Sequence, residues 1–180
     1  KRYEAAEESV AYICSRYYRS PELILGAKYY GCEIDVWAVG CVIGELLSGE
    51  PLFLGNNNKE QFLRIIKVLG PPTPEDLKAM SYLHHINFPK FAPTGLKNKL
   101  ARAVDPQVVD LMSKLLTYNP AKRIQPFKAL AHPYFDELRN HRLLLNNRPI
   151  VNLFNFSEEE IGKDSYLLGK LVPEWYRDNN

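Results

Sequence analysis

The chain has 180 residues, 46% apolar and 24% charged, with 23 Lys and Arg against 21 Asp and Glu for a net charge of +2. This is the make-up of one globular domain able to bury about 70% of its unfolded surface, and so balanced a charge predicts neither a nucleic-acid nor a membrane partner. Cys14, Cys32 and Cys41 show no C-x-x-C spacing, which argues against a disulfide framework or a zinc site and for a reducing, intracellular setting. No apolar run approaches the roughly 18 residues of a membrane helix, and Lys1-Arg2-Tyr3-Glu4 is no signal peptide; the start reads as cut from a longer chain.

Residues 1 to 19 have no helical period and are read as an extended surface segment. Within them Arg16 and Arg19 follow Tyr12 by four and seven residues. A phosphorylated tyrosine carries a charge near −2 and three acceptor oxygens, which two guanidinium forks suit. Pro21 opens a short helix to about Leu25, with Ser20 placed to cap it and Gly26 to end it. Asp35 to Ser48 reads as a helix apolar on nearly every face, with Glu45 its only charge after Asp35, and hence as a helix inside the domain. Gly40 and Gly44 share a face and permit close approach of another backbone.

A second helix is expected over Asn58 to Leu69, with Phe62, Ile65, Ile66 and Leu69 as its apolar stripe and Gly70-Pro71-Pro72 as its stop. Thr73-Pro74 opens a short helix, and Tyr82 to Val104 reads as a long irregular connection. Between Asp76 and Asp105 the charged residues are Lys78, Lys90, Lys97, Lys99 and Arg102, all basic, as in a solvated loop or a surface for acidic partners. Asp105-Pro106 starts a helix burying Val108, Leu111, Met112, Leu115 and Leu116, and Pro126 to about Ala131 makes another, ended by His132-Pro133. Residues 140 to 156 lack periodicity, as in a draped tail, and Ser157-Glu158-Glu159-Glu160 is a capping box for one short helix. The fold class expected is mainly α, with no convincing sheet. His84, His85, His132 and His141 form no ligand constellation.

Three ordered segments resemble the carboxy-terminal lobe of a eukaryotic protein kinase: Ser20-Pro21-Glu22 in place of the usual Ala-Pro-Glu, Asp35-Val-Trp-Ala-Val-Gly-Cys41, and Asn119-Pro-Ala-Lys-Arg-Ile124. Tyr12-Ile-Cys-Ser-Arg-Tyr-Tyr-Arg19, Ile66-Lys-Val-Leu-Gly-Pro-Pro-Thr73, His132-Pro-Tyr-Phe-Asp-Glu-Leu-Arg139 and Leu153-Phe-Asn-Phe-Ser157 look like the glycogen synthase kinase 3 branch. Mitogen-activated and cyclin-dependent kinases fit less well, because the position two before Tyr12 is Val10 rather than threonine.

The resemblance implies a helical lobe lacking the upper lobe and catalytic loop. Its expected parts are the activation-segment end at 1–25, a helical body at 26–139 with an insert near 82–104, and a carboxy-terminal extension at 140–180. Tyr12 is the implied regulatory phosphorylation site, with Arg16 and Arg19 as its phosphate ligands. Lys1 is implied to help bind a phosphate already on the substrate, with two arginines outside this chain. Glu22 and Arg123 resemble a buried structural ion pair. Asp35 resembles the aspartate that supports the catalytic-loop backbone, or else caps its helix. Cys14 falls in the loop receiving residues after the phosphoacceptor, where a small filler is expected rather than a redox switch.

The parent is implied to be a Ser/Thr protein kinase, cytoplasmic or also nuclear, using ATP and Mg2+ on pre-phosphorylated proteins. No Gly-rich loop, V-A-I-K lysine, H-R-D loop or D-F-G occurs here, so this stretch alone is expected to be inactive, with no catalytic, ATP or metal residue of its own. The family docks scaffold-protein helices near residues 62–88. A catalytically silent scaffold is the alternative function.

Overall fold

The computed structural model describes residues 14–84, 86–88, 90–100, 104–140, 142–149, 152–161 and 165–177. They form two compact units, Lys1–Ile124 and Gln125–Asn180.

In the first unit a one-turn 3-10 helix, Arg16–Tyr18, leads into α1 (Pro21–Ile24), and a second 3-10 turn lies at Pro120–Lys122. Pro21 occupies the first turn, where its missing N–H costs nothing, and Gly26 at φ +84 carries the chain out in the left-handed region. Ser20 does not cap this helix: its side chain is fully buried and makes no cap bond. The central helix α2 runs Glu33–Ser48, two residues earlier than the sequence suggested, and ends at Gly49 with φ +77. Asp35 therefore lies inside the first turn, exposed, and Cys32 stands at the cap position without a side-chain bond.

Trp37, Cys41, Gly40 and Gly44 are buried in α2, but Val39, Val42 and Leu46 are 51%, 45% and 80% exposed. The expectation that α2 is covered all round thus holds for only part of its circumference among the described residues. The buried side faces α6 (Pro106–Leu115). A methyl added at Gly40 would come 2.8 Å from a Leu116 methyl and 3.1 Å from Leu115 Cβ, so the glycine admits the neighbouring helix end.

Helix α3 spans Asn58–Leu69, as its apolar spacing predicts. Asn57 Oδ1 accepts the Glu60 amide, and Gly70 at φ +87 ends the helix. Its buried face is Gln61, Phe62, Ile65, Ile66 and Val68, with Leu69 only half buried. A reciprocal Thr73–Asp76 capping box opens α4 (Pro74–Ala79). The connection after it is less irregular than expected. Thr94 and Gly95 donate backbone N–H groups to Lys67 and Val68, and α5 (Leu96–Lys99) buries Leu96 and Leu100 against α3 and α6. Lys78, Lys90, Lys97 and Lys99 are exposed.

Arg123 closes this unit. Its Nη1 and Nη2 meet Glu22 Oε1 and Oε2 at 2.8 and 3.0 Å, with side-chain exposures of 0% and 3%. Nη1 also donates to Glu33 O, Nη2 to Tyr118 O and Nε to Thr117 O, so all five N–H donors have acceptors. The guanidinium lies over fully buried Trp37, 5.3 Å from the ring centroid.

The second unit contains α7 (Pro126–Leu130), a 3-10 stretch at Pro133–Arg139, a two-residue antiparallel ladder of β1 (Leu144–Leu145) with β2 (Arg148–Pro149), then α8 (Glu158–Ile161), α9 (Ser165–Leu171) and α10 (Glu174–Arg177). Asn146 and Asn147 both take positive φ between the strands, where asparagine is tolerated. Ser157 and Glu160 form the expected reciprocal cap. Phe154, Leu171 and Val172 make the core, with Phe127, Phe156 and Trp175 packed on it. This order lies where the sequence suggested a draped tail, because aromatic residues without helical spacing still found partners.

Two stability changes follow, both read by urea unfolding. Glu22→Gln leaves the buried guanidinium without its counter-charge and is expected to cost about 3–5 kcal/mol. Gly40→Ala gains about 1 kcal/mol of helix propensity but crowds Leu115 and Leu116, for a net loss of about 1 kcal/mol.

Candidate functional site

In the stretch from Cys14 to Ser20 polar side chains converge around a short 3-10 turn. Its 3-10 turn is closed by Tyr18 N–H to Ser15 O and Arg19 N–H to Arg16 O, both 3.1 Å. Cys14 precedes it at φ +55, an uncommon conformation for a residue with a Cβ.

Three side-chain bonds fasten this stretch to the helices behind it. Tyr18 OH donates to Glu45 Oε2 of α2 at 2.6 Å, and that bond, more than any burial, raises the phenol above its ordinary pKa. Arg19 Nη1 donates to Asn58 Oδ1 of α3 at 3.0 Å, while Nη2 reaches Cys14 O at 3.1 Å. Gln61 of α3, fully buried, donates to Phe53 O at 3.1 Å and to Tyr17 O at 3.4 Å, and its Oε1 accepts Gly55 N–H at 2.9 Å. Sequence reasoning missed all three anchors. The available signals were a lone glutamate in an apolar helix and a glutamine on a buried face.

Of the residues singled out from the sequence, Arg16 and Arg19 bracket the 3-10 turn, and Glu22 pairs with Arg123 just beyond it. Arg19 is 3% exposed; Arg16 is half buried, its Nε enclosed without a hydrogen-bond partner among the described residues. Lys1 and Tyr12 lie outside the described residues. Asp35 stands exposed on the first turn of α2, near enough to Cys14 for its charge to act on that thiol.

Beside the segment, Ile24, Leu25, Asn58, Lys59, Phe62, Leu63, Ile66 and Phe88 help line an apolar groove of about 470 Å³. Phe62 and Phe88 approach there with centroids 6.3 Å apart. A second, smaller pocket of about 100 Å³ lies between Glu22, Tyr30, Glu33 and Met80. Among the described residues no group of three or more His, Cys, Asp and Glu side chains could hold a metal ion. The groove has no cluster of cationic donors for three phosphates. The residues lining this groove therefore offer ATP and Mg2+ no fitting donor set.

Crowding raises the Cys14 thiol although the residue is exposed, with Arg19 pulling the other way, and burial pushes Cys41 far up. Alkylation of the folded protein, read by peptide mass spectrometry, is expected to label exposed Cys32 first and Cys14 more slowly. Cys41 is expected to react only on unfolding; labelling it as fast as Cys14 would contradict its burial.

Residues 1–135 match the protein kinase domain family. Over 184 aligned residues the chain is 44% identical to the protein kinase gsk3 of Schizosaccharomyces pombe, an alignment covering 97% of this chain and 47% of that protein. The chain thus spans about half the length of the curated relative it matches. No described helix is long and apolar enough to cross a membrane. With its Ser-Pro-Glu segment tied by Glu22 to Arg123 and its alignment running over nearly the whole sequence, the chain belongs to the protein kinase family, on the glycogen synthase kinase 3 branch.

Proposed function

We propose that these residues are the substrate-gripping part of a Ser/Thr protein kinase that transfers the γ-phosphoryl group of ATP to proteins already carrying a phosphate. The observation that carries this reading is the anchored segment from Cys14 to Arg19, fastened through Tyr18–Glu45 and Arg19–Asn58. A surface that positions a flexible peptide must itself be held, because misplacing the reacting hydroxyl by about 1 Å can cost about a hundredfold in rate. On this reading the transfer chemistry, with ATP and Mg2+, belongs to residues outside these 180, and the stretch alone is inactive. The open stripe Val39, Val42 and Leu46 is then the face on which the rest of the lobe rests.

Tyr12 is the regulatory site in this proposal. Its phosphate adds a dianion that the Arg16 and Arg19 guanidinium groups hold through charge-assisted hydrogen bonds, ordering the segment. Lys1 takes part in binding the phosphate on the substrate, and Asp35 supports the catalytic loop. The protein works in the cytoplasm, with access to the nucleus.

A second reading, that of a catalytically silent interaction module, is favoured by the groove along α3, whose apolar lining suits the face of an amphipathic scaffold helix. Radiolabelled phosphoryl transfer by the full-length protein separates the two. The kinase reading expects a phosphorylated peptide to be a better substrate than its unphosphorylated twin, and Tyr12→Phe to lower the rate about tenfold, the worth of one charge-assisted hydrogen bond. Equal rates on both peptides would refute the role given to Lys1. No transfer to any peptide would leave the scaffold reading standing.

A further inference from the structure

The two arginines of the segment are placed very unlike one another. Arg16 keeps a buried Nε with no partner among the described residues, whereas Arg19 is enclosed and engaged on two sides. On one side it holds Cys14 O, the carbonyl of the residue at φ +55; on the other it is held by Asn58 Oδ1. A left-handed residue with a Cβ is disfavoured and persists only where its surroundings hold it. The guanidinium bridge from Asn58 to Cys14 O is such a hold.

Asn58 is the first residue of α3 but not its cap. Asn57 is the cap, its Oδ1 accepting the Glu60 amide at 2.9 Å. The Asn58 side chain is thus free of the duty its neighbour performs, and its oxygen is spent on a residue 39 positions earlier. An alanine at this position would leave the Asn57 cap in place but remove the acceptor of Arg19 Nη1.

We propose that Asn58 is a positioning residue for the peptide-gripping segment: by fixing Arg19 it fixes the Cys14 carbonyl, and with it the left-handed entry to the 3-10 turn on which substrate residues lie. The functional half of this proposal rests on the kinase reading above; the conformational half does not. It also distinguishes the two arginines: Arg19 serves as a strut besides its proposed phosphate contact, and Arg16 Nε is a buried donor without a partner among the described residues.

The test uses three variants of the full-length protein and three readouts, the third being Tm. Amide hydrogen exchange at Tyr18 and Arg19, whose N–H groups close the turn, reports the conformation. KM and kcat for a peptide substrate report the function. Asn58→Ala is expected to speed that exchange roughly tenfold, the worth of one hydrogen bond to a charged group, and to raise KM at least roughly threefold with little change in kcat. Asn58→Asp keeps an oxygen acceptor for Arg19 and is expected to restore both.

Asn57→Ala removes the cap instead. It is expected to lower Tm without changing exchange at the turn or KM, which separates positioning from mere stabilisation of α3. Unchanged exchange in Asn58→Ala, or an equal rise in Asn57→Ala, overturns the proposal. A wild-type protein without phosphoryl transfer sinks the kinase reading and the functional half, while the exchange data still decide whether Asn58 sets the turn.

Discussion

One buried cation, Arg123, ties together three parts of the first unit. Arg123 has five N–H groups and five bonds, to two oxygens of Glu22 and to the carbonyls of Glu33, Thr117 and Tyr118. Those acceptors belong to α1, the start of α2 and the chain just past α6, so one side chain sets the mutual position of three elements distant in sequence. A buried charge is costly unless fully paired, and that cost is what makes the arrangement specific: a shifted α1 would strand a donor in the core. Trp37 beneath the guanidinium, with Phe53 and Tyr118 rings 6.1 and 6.3 Å away, fills the space around it.

The segment from Cys14 to Arg19 inherits its position from that junction. Glu22 lies three residues after Arg19, so fixing α1 delivers the segment to the surfaces of α2 and α3. There the anchoring is polar and sparse: one phenol to a carboxylate, one guanidinium to an amide, one glutamine to a carbonyl. Few bonds to a short turn make a segment that is ordered yet adjustable, since each bond is worth only about 1–3 kcal/mol. On the proposed reading such a balance suits a loop whose shape a phosphate biases, because the energy of one new ionic contact is comparable to that of the existing ties.

Much of this was legible in advance where the signal was local. The Asn58–Leu69 helix came from a stripe at helical spacing between a polar start and Gly70-Pro71-Pro72, and the caps at Thr73 and Ser157 came from residue types that have few other uses at those positions. The misses have one cause. Gln61 looks like a surface residue until Phe53 O, Tyr17 O and Gly55 N–H surround it. Ser20 looks like a cap until burial turns it inward, and α5 forms because Leu96 and Leu100 find α3 and α6. Each outcome depends on atoms far away along the chain.

The amino-acid sequence by itself determined the kinase-lobe resemblance, the helical character and the stops at glycine and proline, because periodicity, turn chemistry and ordered motifs are properties of neighbouring residues; the Glu22–Arg123 pair was legible only through the family resemblance. Only the tertiary structure decided which side of α2 is covered, that Tyr18 is bound to Glu45, and that Arg19 is held by Asn58. A hydrogen bond between residues 27 or 39 positions apart has no signature in local sequence; it exists because packing around Trp37 and Arg123 brings the donors and acceptors within 3 Å.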